Sequence, residues 1–337
     1  MSFDVIEKAL YASLDVVNIV FTDKTIFKGC NYQRIIECDL VVGENAIPIV
    51  IAIPQNWQRI LVDVYIKQNM EFPFIPHVDV QGKICLFDTE GILIDPNLCG
   101  IILQSIRRAK EIIREGLAGT NKADFIDEFD SYWIQLPSVR SAKVDVSCIQ
   151  NVSVVKYFVK TVKRHKKESY ARFLQRTKAG IIYVCQDPQK LKHYCTEEEK
   201  VSIRNAIYIK IKVDDFLLPP DARSTILEKY FQKVLKYVNV KELQAIISKV
   251  SSDKLMIFEV QQPNGMITFL GAIFEKSIIS FENGLCYLKS VEEIIPVTVN
   301  RIDKRYLMTR SNQVTNILTD KKVLLIGCGS VGSYIAN

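Results

Sequence analysis

Cys85 is the residue whose surroundings most clearly suggest chemistry. It follows Gly82-Lys83-Ile84 and lies eight residues after His77, which ends the proline-rich approach Phe72–His77. A cysteine thiolate is a nucleophile that can hold an acyl group as a thioester, ready for attack by an amine. Such a transfer needs groups that position the amine, accept its proton and face the developing oxyanion. His77 and Asp79 are the nearest candidates for these roles.

A second group of candidate residues lies near the end of the sequence. Gly327, Gly329 and Gly332 form a Gly-x-Gly-x-x-Gly motif directly after the apolar run 323–326, which is typical of a buried parallel strand. Glycines let the backbone approach phosphates closely, and the N-terminus of the following helix favours them electrostatically. The motif alone fits either an ATP-binding enzyme or a nicotinamide-dependent one, whose acidic ribose partner would follow about 20 residues later.

Composition limits the classes of protein that need to be considered. The 337 residues predict two or three domains, and the net charge of +6 is mild and dispersed, which gives no indication of nucleic-acid binding. The sequence contains no apolar run of the ~18 residues that a membrane span needs and no secretory signal pattern, so we expect a cytoplasmic protein. Nine cysteines without a C-x-x-C pair favour neither a disulfide framework nor a zinc site. Most of them are expected to be small buried residues, which is also the alternative interpretation of Cys85.

The pattern of apolar residues predicts a compact α+β domain over residues 1–140. Its expected elements, in chain order, are a helix face over 3–17, strands at Tyr32–Val42, Ala46–Ile53 and Ile60–Ile66, an ordered loop at Phe72–His77, a long helix after Asp95-Pro96 that ends at Gly116 and Gly119, and a helix over Ala123–Trp133. Short connections between the strands indicate an antiparallel meander.

The rest of the chain predicts an α/β linker domain over 145–310 and an incomplete third domain over 320–337. In the linker domain we expect strands at Gly180–Cys185, Ala206–Val213 and Leu255–Val260, a helix over Asp221–Tyr237, and a hairpin turn at Pro263-Asn264-Gly265. A nucleotide-binding βαβ unit needs about 30 residues, so residues 320–337 hold only its first strand and turn. The sequence therefore predicts a fragment that ends inside its third domain.

Residues 1–135 resemble ubiquitin-conjugating enzymes. The resemblance consists of Phe-Pro-x-x-Pro-His at 72–77, Gly-x-Ile-Cys-Leu at 82–86, and the long helix that follows. It implies an antiparallel sheet with flanking helices, Cys85 as the thioester cysteine, and His77 as the residue that shapes the active-site loop. The family's His-Pro-Asn is His-Val-Asp here, so Asp79 stands where an asparagine supports the oxyanion. Asp79 either orients or deprotonates the incoming amine, or is an exposed loop residue.

The segment Ile326–Ser333 resembles ThiF-type adenylating enzymes, which include the ubiquitin-activating enzymes. This resemblance implies a Rossmann-like domain whose glycines 327, 329 and 332 contact ATP. It also implies that ATP and Mg serve the full-length adenylating domain, that none binds this fragment, and that the protein forms a homodimer through that domain.

The order of the three regions resembles the bacterial fusion enzymes of CBASS antiphage operons. That resemblance implies that a cGAS/DncV-like nucleotidyltransferase is the acyl donor and that a lysine-bearing protein is the target, without membrane or nucleic acid as partner. Three alternatives stay open from the sequence. The donor could be a bacterial ubiquitin-like protein, the conjugating-like domain could be an inactive binding module, or the glycine motif could belong to a nicotinamide-dependent enzyme.

Overall fold

A computed structural model describes residues 3–22, 24–67, 72–87, 96–146, 150–159, 181–187, 189, 203–251 and 253–303. The helices are α1 (Phe3–Tyr11), α2 (Leu98–Ala118), α3 (Asp124–Asp127), α4 (Phe129–Trp133), α5 (Leu227–Leu235) and α6 (Val240–Ile246), and a 3-10 helix covers Ile247–Lys249. The strands are β1 (Val16–Thr22), β2 (Ile26–Phe27), β3 (Cys30–Val42), β4 (Asn45–Pro54), β5 (Asp63–Ile66), β6 (Arg140–Asp145), β7 (Val152–Val159), β8 (Ile182–Cys185), β9 (Arg204–Lys212), β10 (Lys254–Gln261), β11 (Ile267–Glu275), β12 (Ile278–Glu282), β13 (Leu285–Ser290) and β14 (Glu293–Arg301). No helix in these ranges is both long and apolar enough to cross a membrane.

The first sheet is an antiparallel meander in the order β1-β3-β4-β5, with β2 paired to β3. This confirms the three strands expected between residues 32 and 66. The helix expected over 3–17 is wrong beyond Tyr11, because Val16 begins β1 and pairs with Leu40. The run of β-branched and aromatic residues over 16–21 favours a strand, and pairing with β3 satisfies its backbone.

Helix α2 covers one face of this sheet. Its buried residues are those expected from the sequence: Leu98, Ile101, Ile102, Ser105, Ile106, Ala109, Ile112 and Ile113. The helix ends at Gly119, whose φ of 70° is the left-handed conformation that glycine adopts easily. The expectation that Gly116 also ends the helix is wrong. Gly116 lies inside α2, where a Cβ atom would come within 2.7 Å of the Ile75 side chain, so this glycine allows the helix to approach the loop before His77.

The helix expected over Ala123–Trp133 is two short helices. The chain leaves helical geometry at Glu128, with φ −103° and ψ 16°, which separates α3 from α4. Aromatic residues anchor both pieces, as expected: Phe125, Phe129, Tyr132 and Trp133 are buried.

The chain divides into two compact units. The first unit comprises residues 1–140, 150–154 and 205–298. Besides the meander it contains a second sheet, in which β10 pairs with β9 in parallel and with β11 in antiparallel fashion, and β11 pairs with β14. The turn expected at Pro263–Gly265 joins β10 to β11, which confirms that hairpin. The helix expected over 221–237 begins only at Leu227, because residues 221–225 form a turn closed by the Asp221 carbonyl.

The second unit comprises residues 141–149, 155–204 and 299–337. In its described part β8 pairs with β6 in parallel and with β7 in antiparallel fashion. The glycines 327, 329 and 332, and the third domain expected over 320–337, lie outside the described residues. The domain limits expected from the sequence stay predictions.

Candidate active site

Cys85 lies at the open end of a short hairpin formed by residues 77–85. Val78 and Ile84 form a β-bridge, and the Cys85 amide donates a hydrogen bond to the His77 carbonyl at 2.7 Å. The amide of Ile84 donates to the carbonyl of Val64 in β5 at 2.8 Å, which fixes the hairpin to the meander. The side chains of Ile84 and Leu86 are buried while Cys85 is exposed. The alternative interpretation of Cys85 as a buried cysteine is therefore wrong.

Asp79 shapes the tip of this hairpin. Its Oδ1 atom accepts hydrogen bonds from the amides of Gln81 and Lys83, both at 2.8 Å, and Gly82 completes the turn with φ +82°. A carboxylate that accepts from amides two and four residues later stabilises a tight turn. This arrangement gives Asp79 a structural task, and its role toward an incoming amine stays a prediction.

His77 is held by a ring of hydrogen bonds, which we call the His77 clamp and which consists of Asp124, Glu128 and Tyr132. The His77 amide donates to Tyr132 Oη at 2.6 Å, and the Tyr132 hydroxyl donates to Glu128 Oε2 at 3.1 Å. Glu128 Oε1 lies 2.9 Å from His77 Nδ1, and Asp124 Oδ2 lies 3.0 Å from His77 Nε2. His77 has φ +63°, an uncommon conformation for a residue other than glycine. The clamp therefore stabilises this strained backbone and also contacts both ring nitrogens of the imidazole.

The clamp residues follow one another at intervals of four. Asp124 lies in α3, Tyr132 lies in α4, and Glu128 lies at the break between the two helices, yet all three contact His77 or its amide. Sequence analysis missed these three residues, although the spacing of two acids and a tyrosine was visible. What the spacing could not show is that these residues lie against residue 77, some 50 residues earlier.

The loop around the cysteine has two further supports from the chain. Arg108 of α2 donates from Nε to the Leu86 carbonyl at 3.3 Å, directly after Cys85. Lys83 Nζ forms an ion pair with Asp63 Oδ1 of β5 at 2.7 Å, two residues before Cys85. Backbone pairing on one side and charged side chains on the other therefore hold the residues that flank the thiol.

Comparison with known families bears on this hairpin and its supports. Residues 22–140 match the family model of prokaryotic E2 family B. The match includes Cys85, His77 and all three clamp residues, and it supports a bacterial ubiquitin-conjugating-like domain. We refer to these residues, 22–140, as the E2-like domain. No curated protein matches the chain.

The electrostatics of the E2-like domain centre on His77. Hydrogen bonding with the Cys85 side chain, together with the hydrogen bond and charge of Glu128, raises the pKa of His77 to about 10. Burial alone would raise the pKa of Glu128, but the hydrogen bond and positive charge of His77 hold it below its usual value. His77 is thus an imidazolium at neutral pH. It cannot accept a proton from an incoming amine, but it places a fixed positive charge beside the sulfur.

The other cysteines of the described residues differ from Cys85 in their surroundings. Cys38 and Cys286 are buried, and burial raises their thiol pKa values to about 12 and about 11. Such thiols are inert toward exchange at neutral pH. Cys30 is exposed like Cys85, which makes it a matched control for experiments on the thiol. Within the described ranges no group of three or more His, Cys, Asp or Glu side chains is arranged to hold a metal ion.

The charge of His77 predicts a pH dependence of stability. Its pKa is raised on folding from 6.5 to about 10, so its stabilising contribution is complete below pH 6.5 and is lost as the pH rises through 10. We expect the difference in unfolding free energy between the wild type and His77→Asn to shrink over this window. Urea denaturation at several pH values under reducing conditions measures it. Asparagine tolerates the left-handed backbone, so the variant isolates the imidazole, and a difference that stays constant with pH would contradict the prediction.

Proposed function

We propose that the E2-like domain carries an activated acyl group as a thioester on Cys85 and passes it to an amine of a target protein. The observation that supports this most is the position of Cys85. It is exposed at the end of a hairpin, between the buried residues Ile84 and Leu86, and its side chain is hydrogen-bonded to an imidazolium that two carboxylates hold in place. A cysteine that receives an acyl group from one partner and delivers it to another must be open to both.

The proposed transfer uses His77 as a positive charge. The amine nitrogen forms a bond to the thioester carbonyl carbon, the carbon–sulfur bond breaks, and the sulfur leaves as a thiolate while the amine loses its proton to solvent or to a second base. The charge of His77 stabilises the negative charge that builds up on the sulfur. Since His77 is already protonated, the proton acceptor must be a different group, and Asp79 is the residue that the sequence offers for this task.

We further propose that the acyl group is the C-terminus of a protein. On this proposal an adenylating domain, with ATP and Mg, activates that carboxylate and passes it through a cysteine of its own to Cys85. The donor would be a cGAS/DncV-like nucleotidyltransferase in an antiviral system, and the enzyme would be a homodimer through the adenylating domain. These steps rest on the resemblance of residues 72–86 to ubiquitin-conjugating enzymes and of 326–333 to ThiF-type adenylating enzymes, and on the order of the regions, which resembles the fusion enzymes. The glycines of the second motif lie outside the described residues.

The test is to trap the thioester and identify its donor. The full-length protein is incubated with ATP, Mg and either a cGAS/DncV-like nucleotidyltransferase or a ubiquitin-like protein encoded beside it, and analysed by non-reducing gels and intact mass. A thiol-sensitive adduct whose mass maps to the Cys85 peptide supports the carrier function, and the donor that forms it is the substrate. Transfer to the target without an adduct on Cys85 would instead show a binding module.

A further inference from the structure

Helix α4 faces two parts of the first unit at once. Tyr132 of this helix, together with the preceding Glu128, holds His77 in the clamp. The next residue, Trp133, points in a different direction and is buried in the core formed with residues 205–298. We call residues 205–298 the support region. The same short helix therefore joins the site to a part of the chain that the match to prokaryotic E2 family B does not include.

Trp133 is the main contact of α4 with the support region. Only 1% of its surface is exposed, and its indole Nε1 donates a hydrogen bond to the Val297 carbonyl at 3.0 Å. Its ring lies 5.8 Å from the ring of Tyr230 and 6.1 Å from that of Phe231, centre to centre, and stacks on Phe129. A buried aromatic side chain with a satisfied N–H fixes a helix in rotation as well as in position. Because Tyr132 is the neighbouring residue, fixing Trp133 also fixes the hydroxyl that binds His77.

Arg223 is a second, independent contact of the support region. Its Nη1 atom donates to the Phe72 carbonyl at 3.1 Å, at the start of the proline-rich approach to His77. Asp221 accepts hydrogen bonds from Nε and Nη2 of Arg223 at 2.9 and 2.8 Å, so the guanidinium is held in one orientation. Its side chain is only 9% exposed. The support region thus contacts the chain on both sides of His77, through α4 and through the approach.

We propose that the support region positions the thioester site, with Trp133 and Arg223 as its positioning residues. This deepens the proposed function and rests on it, since it assigns a task to the part of the chain that was expected to be a linker. The effect on Cys85 passes through Tyr132 and Glu128 to His77, and through Phe72 along the approach. Loosening either contact should alter the surroundings of the imidazole before it alters the fold.

The test measures His77 and Cys85 directly in the full chain, without donor or target. The variants are Trp133→Phe, which keeps an aromatic ring but removes the N–H, and Arg223→Gln, which leaves the core filled. The pKa of His77 is read from the NMR titration of its imidazole protons, which is tractable because the chain has three histidines. We expect each variant to lower the proton affinity of His77 about tenfold, which corresponds to one pKa unit. We also expect each variant to change the rate at which iodoacetamide alkylates Cys85, which is followed by mass spectrometry of the Cys85 peptide.

Trp57→Phe is the matched control, because Trp57 is the other tryptophan and packs against the core between the meander and α2. The proposal requires Trp57→Phe to keep wild-type values of both readouts. The proposal is overturned if Arg223→Gln, or a folded Trp133→Phe, titrates and alkylates like the wild type, or if Trp57→Phe changes as much as they do. These readouts are independent of any acyl donor. If both readouts change in the variants but no thioester forms on Cys85, the proposed function is refuted and the positioning role of the two contacts stands.

Discussion

Replacing Cys85 with alanine is expected to abolish the thiol-sensitive adduct on the peptide that contains residue 85, because the sulfur is the atom that would carry the acyl group. An adduct on the cysteine of the adenylating domain should persist. Replacing Cys85 with serine should leave an adduct that thiols do not cleave, since an oxygen ester resists thiol exchange where a thioester does not. Non-reducing gels with and without added thiol, followed by mass spectrometry that maps the adduct to its peptide, measure both outcomes in the full-length protein with ATP, Mg and the donor.

Cys30→Ala is the control for this experiment. Cys30 is exposed like Cys85 and lies at the start of β3, where it pairs with Phe27 of β2. We expect this variant to form the adduct at the wild-type level. If the adduct survives in Cys85→Ala and disappears in Cys30→Ala, the carrier is Cys30. The proposed role of Cys85 and the mechanism around His77 would then both be wrong.

The change Glu128→Gln is expected to slow transfer from the Cys85 thioester to an amine by about 10- to 100-fold at pH 8. This is less than the 10²–10³-fold typical of removing a direct donor, because Glu128 acts through His77. The glutamine keeps the shape of the side chain but removes the negative charge that helps to hold the His77 pKa near 10. His77 of the variant then loses its proton at a lower pH, so the rate should fall off as the pH rises through the neutral range. In the wild type, where Glu128 keeps its charge, the rate should begin to fall only at a higher pH than in the variant.

Single-turnover transfer from preformed thioester to free lysine, over a range of pH, measures this prediction without the activating step. Asp127→Asn is the matched control, since it removes one negative charge from an exposed position between the clamp residues. We expect Asp127→Asn to follow the wild-type profile. A Glu128→Gln profile parallel to the wild type, lower but with the same pH dependence, would mean that Glu128 supports the fold and not the charge of His77.

The clamp also explains why the sequence indicated that His77 shapes the loop but did not indicate its charge. Its position eight residues before Cys85, and the resemblance of the segment to ubiquitin-conjugating enzymes, indicated a residue that shapes the loop. Its charge depends on the hydrogen bond with Cys85 and also on Glu128 and Asp124, which lie 51 and 47 residues away. Electrostatic environments of this kind come from long-range contacts, and no local pattern in the chain reveals them.

The sequence by itself determined the elements whose patterns are local. Runs of β-forming residues broken by turn residues predicted β3, β4 and β5, and the 3.6-residue period predicted the buried face of α2. Turn residues also predicted the β10–β11 hairpin. It also singled out Cys85, because glycine before it and the proline-rich approach are visible in a short window. Where two local signals competed, as between helix and strand at Val16, the wider sheet decided the outcome.

Only the tertiary structure decided what surrounds the cysteine. It showed that the thiol is exposed while its neighbours are buried, that Asp79 binds the amides of its own turn, and that α4 connects the clamp to the support region through Trp133. The physical reason is that each of these properties depends on residues far apart in the chain. Exposure, charge and orientation are set by what packs against a side chain, whereas its type and spacing are already written in the sequence.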